Sequence, residues 1–169
     1  MHVGTPKTGT SFLQNILRRA ELAGALEDTC YPITDHANVH AELGNARDIA
    51  MHLKLQNDWD PVATEEKIDI VLRRARQGSH VILSSEGLIF AKADRFEWLL
   101  DRLAARGFTP KVVCVVRDLA GWTSSHLSMA AGTGSILSED GSLTPNFDLP
   151  PAQGVRNLAR FATSISSPI

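Results

Sequence analysis

One run near the amino end has the composition of an anion cradle: Gly4-Thr5-Pro6-Lys7-Thr8-Gly9-Thr10-Ser11. Its glycines let the main chain turn and approach a ligand closely. Its hydroxyls can donate hydrogen bonds, and Lys7 brings a positive charge. When such a loop joins a strand to a helix, backbone amides and the helix dipole add to the attraction. Against the nucleotide-triphosphatase pattern G-x-x-x-x-G-K-[ST], the glycines fit at 4 and 9 and the hydroxyl fits at Ser11. The lysine is displaced: Thr10 holds its place and Lys7 stands three residues earlier. The cradle is kept while the cation enters from another direction. His36 and His40 are the other notable pair. At a spacing of four they share a helix face, but they lack a third ligand, since Cys30 is not in a metal-binding spacing. No metal is expected, and the pair reads as a solvated polar face or as lining for a substrate pocket. His2, His52, His80 and His126 fall in no usable pattern.

The elements that must hold the loop follow from periodicity. His2-Val3-Gly4 is a short extended piece. Phe12, Leu13, Ile16, Leu17 and Ala20 recur on one helical face and predict a helix with that face buried. The stretch His36–Gln56 is helix-compatible, with Val39, Leu43, Ile49 and Leu53 as a weak stripe. Asp60-Pro61 predicts an N-cap and a first helical proline. That helix would bury Ile68, Val71, Leu72 and Ala75 and end at Gly78. An apolar run from His80 ends at Ser84-Ser85-Glu86. Phe96, Leu99, Leu100, Leu103 and Ala104 form another amphipathic helix, closed by Gly107. Five β-favouring residues then lead to Arg117 without alternation, as in a strand covered on both faces of a parallel sheet. Residues 119–129 read as helix, 132–146 as loop, and 155–165 as a last short helix.

Strands alternating with helices predict an α/β fold: three layers, a parallel central sheet with flanking helices and right-handed crossovers. Ligands of such sheets sit at the carboxyl ends of the strands. Here those ends carry the 4–11 loop, Glu86 and Arg117.

The chain of 169 residues suits one domain. Its 43% hydrophobic and 21% charged residues exclude whole-chain disorder. Seventeen basic against nineteen acidic residues give a net charge of -2, which argues against a broad nucleic-acid-binding surface. Cys30 and Cys114 are too few for a disulfide scaffold. Cys114, inside an apolar run, reads as a small core residue. Neither a signal peptide nor a membrane span is seen, so a cytoplasmic location is expected.

The run from His2 through Pro6-Lys7-Thr8-Gly9-Thr10-Ser11 to Gln14 resembles the 5′-phosphosulfate-binding loop of the sulfotransferases that use 3′-phosphoadenosine 5′-phosphosulfate. The resemblance spans residues 1 to about 130. It implies a P-loop-like sulfotransferase fold, with Lys7 on the bridging oxygen and the 5′-phosphate. Thr8, Gly9, Thr10 and Ser11 would bind that phosphate through amides and hydroxyls. It also implies a 3′-phosphate site made by a strand-end arginine and a serine eight residues on, which Arg117 and Ser125 match. Trp122 is similar to an aromatic of bacterial members, whereas Leu119 stands where a proline is usual. A strand-end base between the two phosphate motifs is implied as well. Glu86 fits by position, with His40 as the rival; Glu86 also reads as a helix-start glutamate beside a capping serine.

The resemblance therefore implies sulfuryl transfer to a hydroxyl or amine of a small-molecule, carbohydrate or lipid acceptor. Two other readings share the cradle. A small-molecule kinase or nucleotide hydrolase would use magnesium and ATP, and Asp118 comes close to its metal-binding aspartate. A non-catalytic nucleotide-binding remnant would explain the short first strand and the few residues after Ser125, which suggest an abbreviated domain, incomplete at its carboxyl end. Neither the acceptor nor the oligomeric state can be read from the residues.

Overall fold

The computed structural model describes residues 1–4, 9–34, 44–54 and 58–115, together with residues 121 and 124. The fold is mixed α/β with short parallel strands. Four strands are described: β1 (His2–Gly4), β2 (Thr29–Cys30), β3 (His80–Val81) and β4 (Val113–Val115). The helices among the described residues are α1 (Thr10–Leu22), α2 (Arg47–Lys54), α3 (Pro61–Leu72), α4 (Ala93–Ala105) and a 3-10 turn, η1 (Glu86–Phe90).

The strands form two parallel pairs. In one, His2, Val3 and Gly4 of β1 lie opposite Val113, Cys114 and Val115 of β4. In the other, Thr29 and Cys30 of β2 lie opposite His80 and Val81 of β3. The chain running on from β3 joins the pairs. A parallel bridge links Ser84 to His2. The His2 amide donates to the Leu83 carbonyl at 2.7 Å, and the Ser85 amide donates to the His2 carbonyl at 3.3 Å. The strands thus follow the order β2-β3-β1-β4, with β1 between two neighbours.

Side chains alternate across a strand, and this divides the molecule. Val3 and Leu83 enter a core with Ile49 and Leu53 of α2, Ile68 of α3, and Phe96 and Leu99 of α4. His2 and Ser84 point the other way and meet α1, which contributes no residue to that core. The capping expected at Asp60 is present. Its carboxylate accepts from the amides of Val62 at 2.8 Å and Ala63 at 3.2 Å, with Pro61 in the first turn. α4 buries Phe96, Leu99 and Leu103 as its pattern predicts, with Leu100 half-buried and Ala104 exposed.

Several expectations need correction. The apolar stripe of α1 is not its buried face. Phe12 is 72% exposed, and Leu13 and Ile16 are exposed with it, while Thr10 and Gln14 are buried. The reason is a long-range bond: Gln14 donates to Ser84 and turns the polar side of the helix inward. α3 stops at Leu72, six residues before Gly78. Arg74 and Ala75 donate to carbonyls three residues back, tightening the chain into turns after the helix. β4 is less covered than a doubly buried strand, with Val113 58% exposed, because it lies at the edge of the described strands. Cys114 is half-buried beside the core, and burial raises its thiol pKa. Of the expected helix within His36–Gln56, only α2 is described. Of the expected helix in 119–129, only Gly121 and Ser124 are described, both helical, and the expected elements in 132–146 and 155–165 lie outside the described residues.

Candidate functional site

The site is assembled at the carboxyl ends of β1 and β3. β1 ends at Gly4, and α1 begins at Thr10. Gly9 caps the helix with φ +83°, a left-handed conformation that glycine adopts without strain. Among the described residues a side chain there would meet nothing within 4 Å, and the left-handed backbone angle calls for glycine. The Gly9 carbonyl accepts from Phe12 at 3.1 Å and Leu13 at 3.2 Å.

The first-turn amides of any helix lack partners within it. Among the described residues no side chain caps them. The amino end of α1, thirteen residues long, therefore presents uncapped donors and the positive end of its dipole. Thr10 stands in that first turn, only 2% exposed, and among the described residues its Oγ1 has no hydrogen-bond partner. Burying a hydroxyl unpaired costs about 1–3 kcal/mol. Ser11 differs: its side chain is exposed, and its carbonyl accepts from Asn15 Nδ2 at 2.9 Å.

Glu86 follows two residues after Ser84, which is bridged to His2. The chain turns there into η1, and Ser85 Oγ accepts from the Gly87 amide at 3.2 Å. Glu86 thus follows a capping serine, as its structural reading holds; it is half-buried at the start of η1, past the end of β3 at Val81.

Beneath these residues lies a buried polar block that the spacing of residue types did not reveal. His2 Nδ1 is 2.8 Å from Ser84 Oγ, and Gln14 Nε2 donates to the same oxygen at 3.1 Å. Asn45 Oδ1 accepts from the Ser84 amide at 2.8 Å, and Asn45 Nδ2 donates to the Ile82 carbonyl at 2.8 Å. Tyr31 Oη accepts from the Asn45 amide at 3.2 Å. Burial lowers the His2 pKa, helped by the nearby amino terminus, and keeps the imidazole neutral. Burial raises the Tyr31 phenol to about 12 against the opposing effect of its bond from Asn45. The available signal was the alternation of His2 against Val3 and of Ser84 against Leu83, with Gln14 one helical turn after Thr10.

The remaining expected site residues cannot be compared with this geometry. Pro6, Lys7, Thr8, Arg117 and Ser125 lie outside the described residues, as do His36, His40, Asp118, Leu119 and Trp122. Among the described residues no three His, Cys, Asp or Glu side chains converge as metal ligands, and no helix is long and apolar enough to cross a membrane.

Among the described residues, cavities lie away from the amino end of α1. One of about 760 Å³ is lined by Asp69, Arg73, Arg106 and Phe108. Another of about 720 Å³ lies beside Met1, His80 and Lys111, at the amino ends of β1, β3 and near that of β4. Arg106 is committed to Glu65 at 3.0 Å and Asp69 at 2.8 Å, so the first cavity borders an ion-paired tie between α3 and α4. Neither cavity touches the loop end of α1. Compared with family models, with curated proteins and with solved structures, the chain matches none.

Proposed function

We propose that the amino end of α1 binds the 5′-phosphate group of a nucleotide sulfuryl donor, and that the chain is a sulfotransferase using 3′-phosphoadenosine 5′-phosphosulfate. The observation that carries the anion site is the buried, unpartnered Thr10 hydroxyl in the uncapped first turn of α1. An anion there would accept from that hydroxyl and from the first-turn amides, in the field of the helix dipole. The choice of nucleotide rests on the resemblance of the His2–Gln14 run to the phosphosulfate loop. The order β2-β3-β1-β4, with the loop leaving a strand flanked on both sides, suits a P-loop-like sheet.

In this reading Lys7, Thr8, Gly9, Thr10 and Ser11 hold the 5′-phosphate, Pro6 shapes the turn, and Arg117 with Ser125 holds the 3′-phosphate. Lys7 neutralises charge that develops on the leaving phosphate oxygen. Glu86 takes the proton of the acceptor hydroxyl as the acceptor attacks. The donor, when bound, supplies the electrophilic sulfur. The acceptor is a small molecule, carbohydrate or lipid, and no metal takes part.

Calorimetry with adenosine 3′,5′-bisphosphate, adenosine 5′-monophosphate and magnesium–ATP tests the reading. The bisphosphate is expected to bind most tightly, and Arg117→Ala to weaken it by about 1.5–3 kcal/mol, the scale of a charged hydrogen bond. That substitution should hardly change monophosphate binding. A preference for magnesium–ATP would point to phosphoryl transfer instead. No binding of any of the three by folded protein would overturn the anion site itself.

A further inference from the structure

Among the described residues, α1 is tied on by hydrogen bonds and an ion pair and not by the apolar core. Its apolar stripe is turned outward, and it adds nothing to the core cluster. Near its carboxyl end, Glu21 accepts from the Tyr31 amide at 2.9 Å and pairs with Arg76 at 2.5 Å. Near its amino end, the tie is Gln14 to Ser84. Gln14 is wholly buried and stands one turn after Thr10, on the same helical face.

Ser84 is equally buried, and each of its polar groups is engaged. Its amide donates to Asn45 Oδ1, and its carbonyl accepts from the Ala46 amide at 3.1 Å. Its hydroxyl meets both His2 Nδ1 and Gln14 Nε2. The junction has no slack. Gly44 sits against it with φ +78°, and a Cβ there would fall 2.1 Å from the Ser84 carbonyl oxygen and 2.7 Å from Gln14 Nε2. One serine thus joins β1, the end of β3, residues 44–46 and the first half of α1.

We infer that Gln14 and Ser84 are positioning residues: the bond between them sets the amino end of α1 against the carboxyl ends of β1 and β3, and thereby tunes the affinity of the anion site. The inference rests on the anion-site reading above. A helix end binds an anion through donors that are already aimed. Loss of the tie lets the first turn rock, and ligand binding must then restore its orientation. The pair touches no ligand and acts through Thr10 and the first-turn amides.

The test is a double-mutant cycle on affinity for adenosine 3′,5′-bisphosphate, with Gln14→Met, Ser84→Ala and the pair combined. Calorimetry is run well below each melting temperature. There a merely structural role leaves the dissociation constant unchanged, because the folded fraction stays near one. Each single variant is expected to bind about 5-fold more weakly, the scale of one neutral hydrogen bond. The combined variant should be no more than about 2-fold weaker than Ser84→Ala, because losing the Ser84 hydroxyl already removes the bond that Gln14→Met breaks, along with the contact to His2. If Ser84→Ala fails to fold, Gln14→Met and Gln14→Leu carry the comparison. Wild-type affinity in folded Gln14 variants overturns the assignment alone, and so do losses that simply multiply. Absence of bisphosphate binding by the unaltered chain overturns the anion-site reading and this assignment with it.

Discussion

Thr10→Val is the substitution for which stability and ligand affinity should move in opposite directions. The two side chains are nearly equal in shape, and both are β-branched, so helix propensity barely changes. What changes is one hydroxyl, 98% removed from solvent with its residue and bonded to nothing among the described residues. An unpaired buried hydroxyl costs about 1–3 kcal/mol, and valine removes that cost. At the lower limit, for a chain of this length, the unliganded protein should melt about 2–4 °C higher. Affinity should fall, because a hydrogen bond to a charged group is worth about 1.5–3 kcal/mol. That corresponds to a roughly 10- to 150-fold weaker dissociation constant for adenosine 3′,5′-bisphosphate. Thermal denaturation without ligand and calorimetry with it give the two numbers independently. A Thr10→Val protein that melts lower and binds the bisphosphate as tightly as the unaltered chain would refute the reasoning, since the hydroxyl would then be structural.

Other expectations follow from the same coordinates. Gly44→Ala should cost more than about 2 kcal/mol in urea denaturation, because it combines a left-handed backbone with the contact at the Ser84 carbonyl. Leu99→Ala should lose about 2–5 kcal/mol by opening the core, while Phe12→Ser stays within about 0.5 kcal/mol because Phe12 is largely in solvent. The His2 imidazole is held below the ordinary 6.5 by burial. The unfolded chain then takes up that proton first as the pH falls, so stability present above pH 6.5 is lost on the way down through the folded pKa. His2→Asn should flatten the difference between pH 7.5 and 5.5 in denaturant titrations. Tyr31, the one tyrosine of the chain, should ionise near 12 in the folded protein by ultraviolet titration, and near 10 in urea.

The parts of the fold legible from residue types were those where one local signal dominates. Asp60-Pro61 marked the start of α3 because cap and proline act within the first turn. Phe96, Leu99 and Leu103 marked the inner face of α4 because that helix packs on the apolar core. α1 misled for the converse reason. Its apolar stripe is as regular as that of α4, yet a hydrogen bond from Gln14 to a serine seventy positions away decides which side faces inward. The polar block of His2, Gln14, Tyr31, Asn45 and Ser84 was likewise hidden, because its members come from five segments that only the fold brings together. Of the candidate loop, the structure describes Gly9, which takes a left-handed angle before α1, and Thr10, buried in its first turn. Glu86 was picked for its place after an apolar run, and in the fold it opens η1 after the capping Ser85.

The most direct measurement of the central claim is the amide chemical-shift response of the isotopically labelled chain to adenosine 3′,5′-bisphosphate. The account predicts saturable shifts that are largest at Gly9, Thr10 and Ser11 and that vanish in Lys7→Ala. Largest shifts at the opposite end of the strands, around Asp69, His80 and Arg106, or no shifts at millimolar ligand, would contradict it.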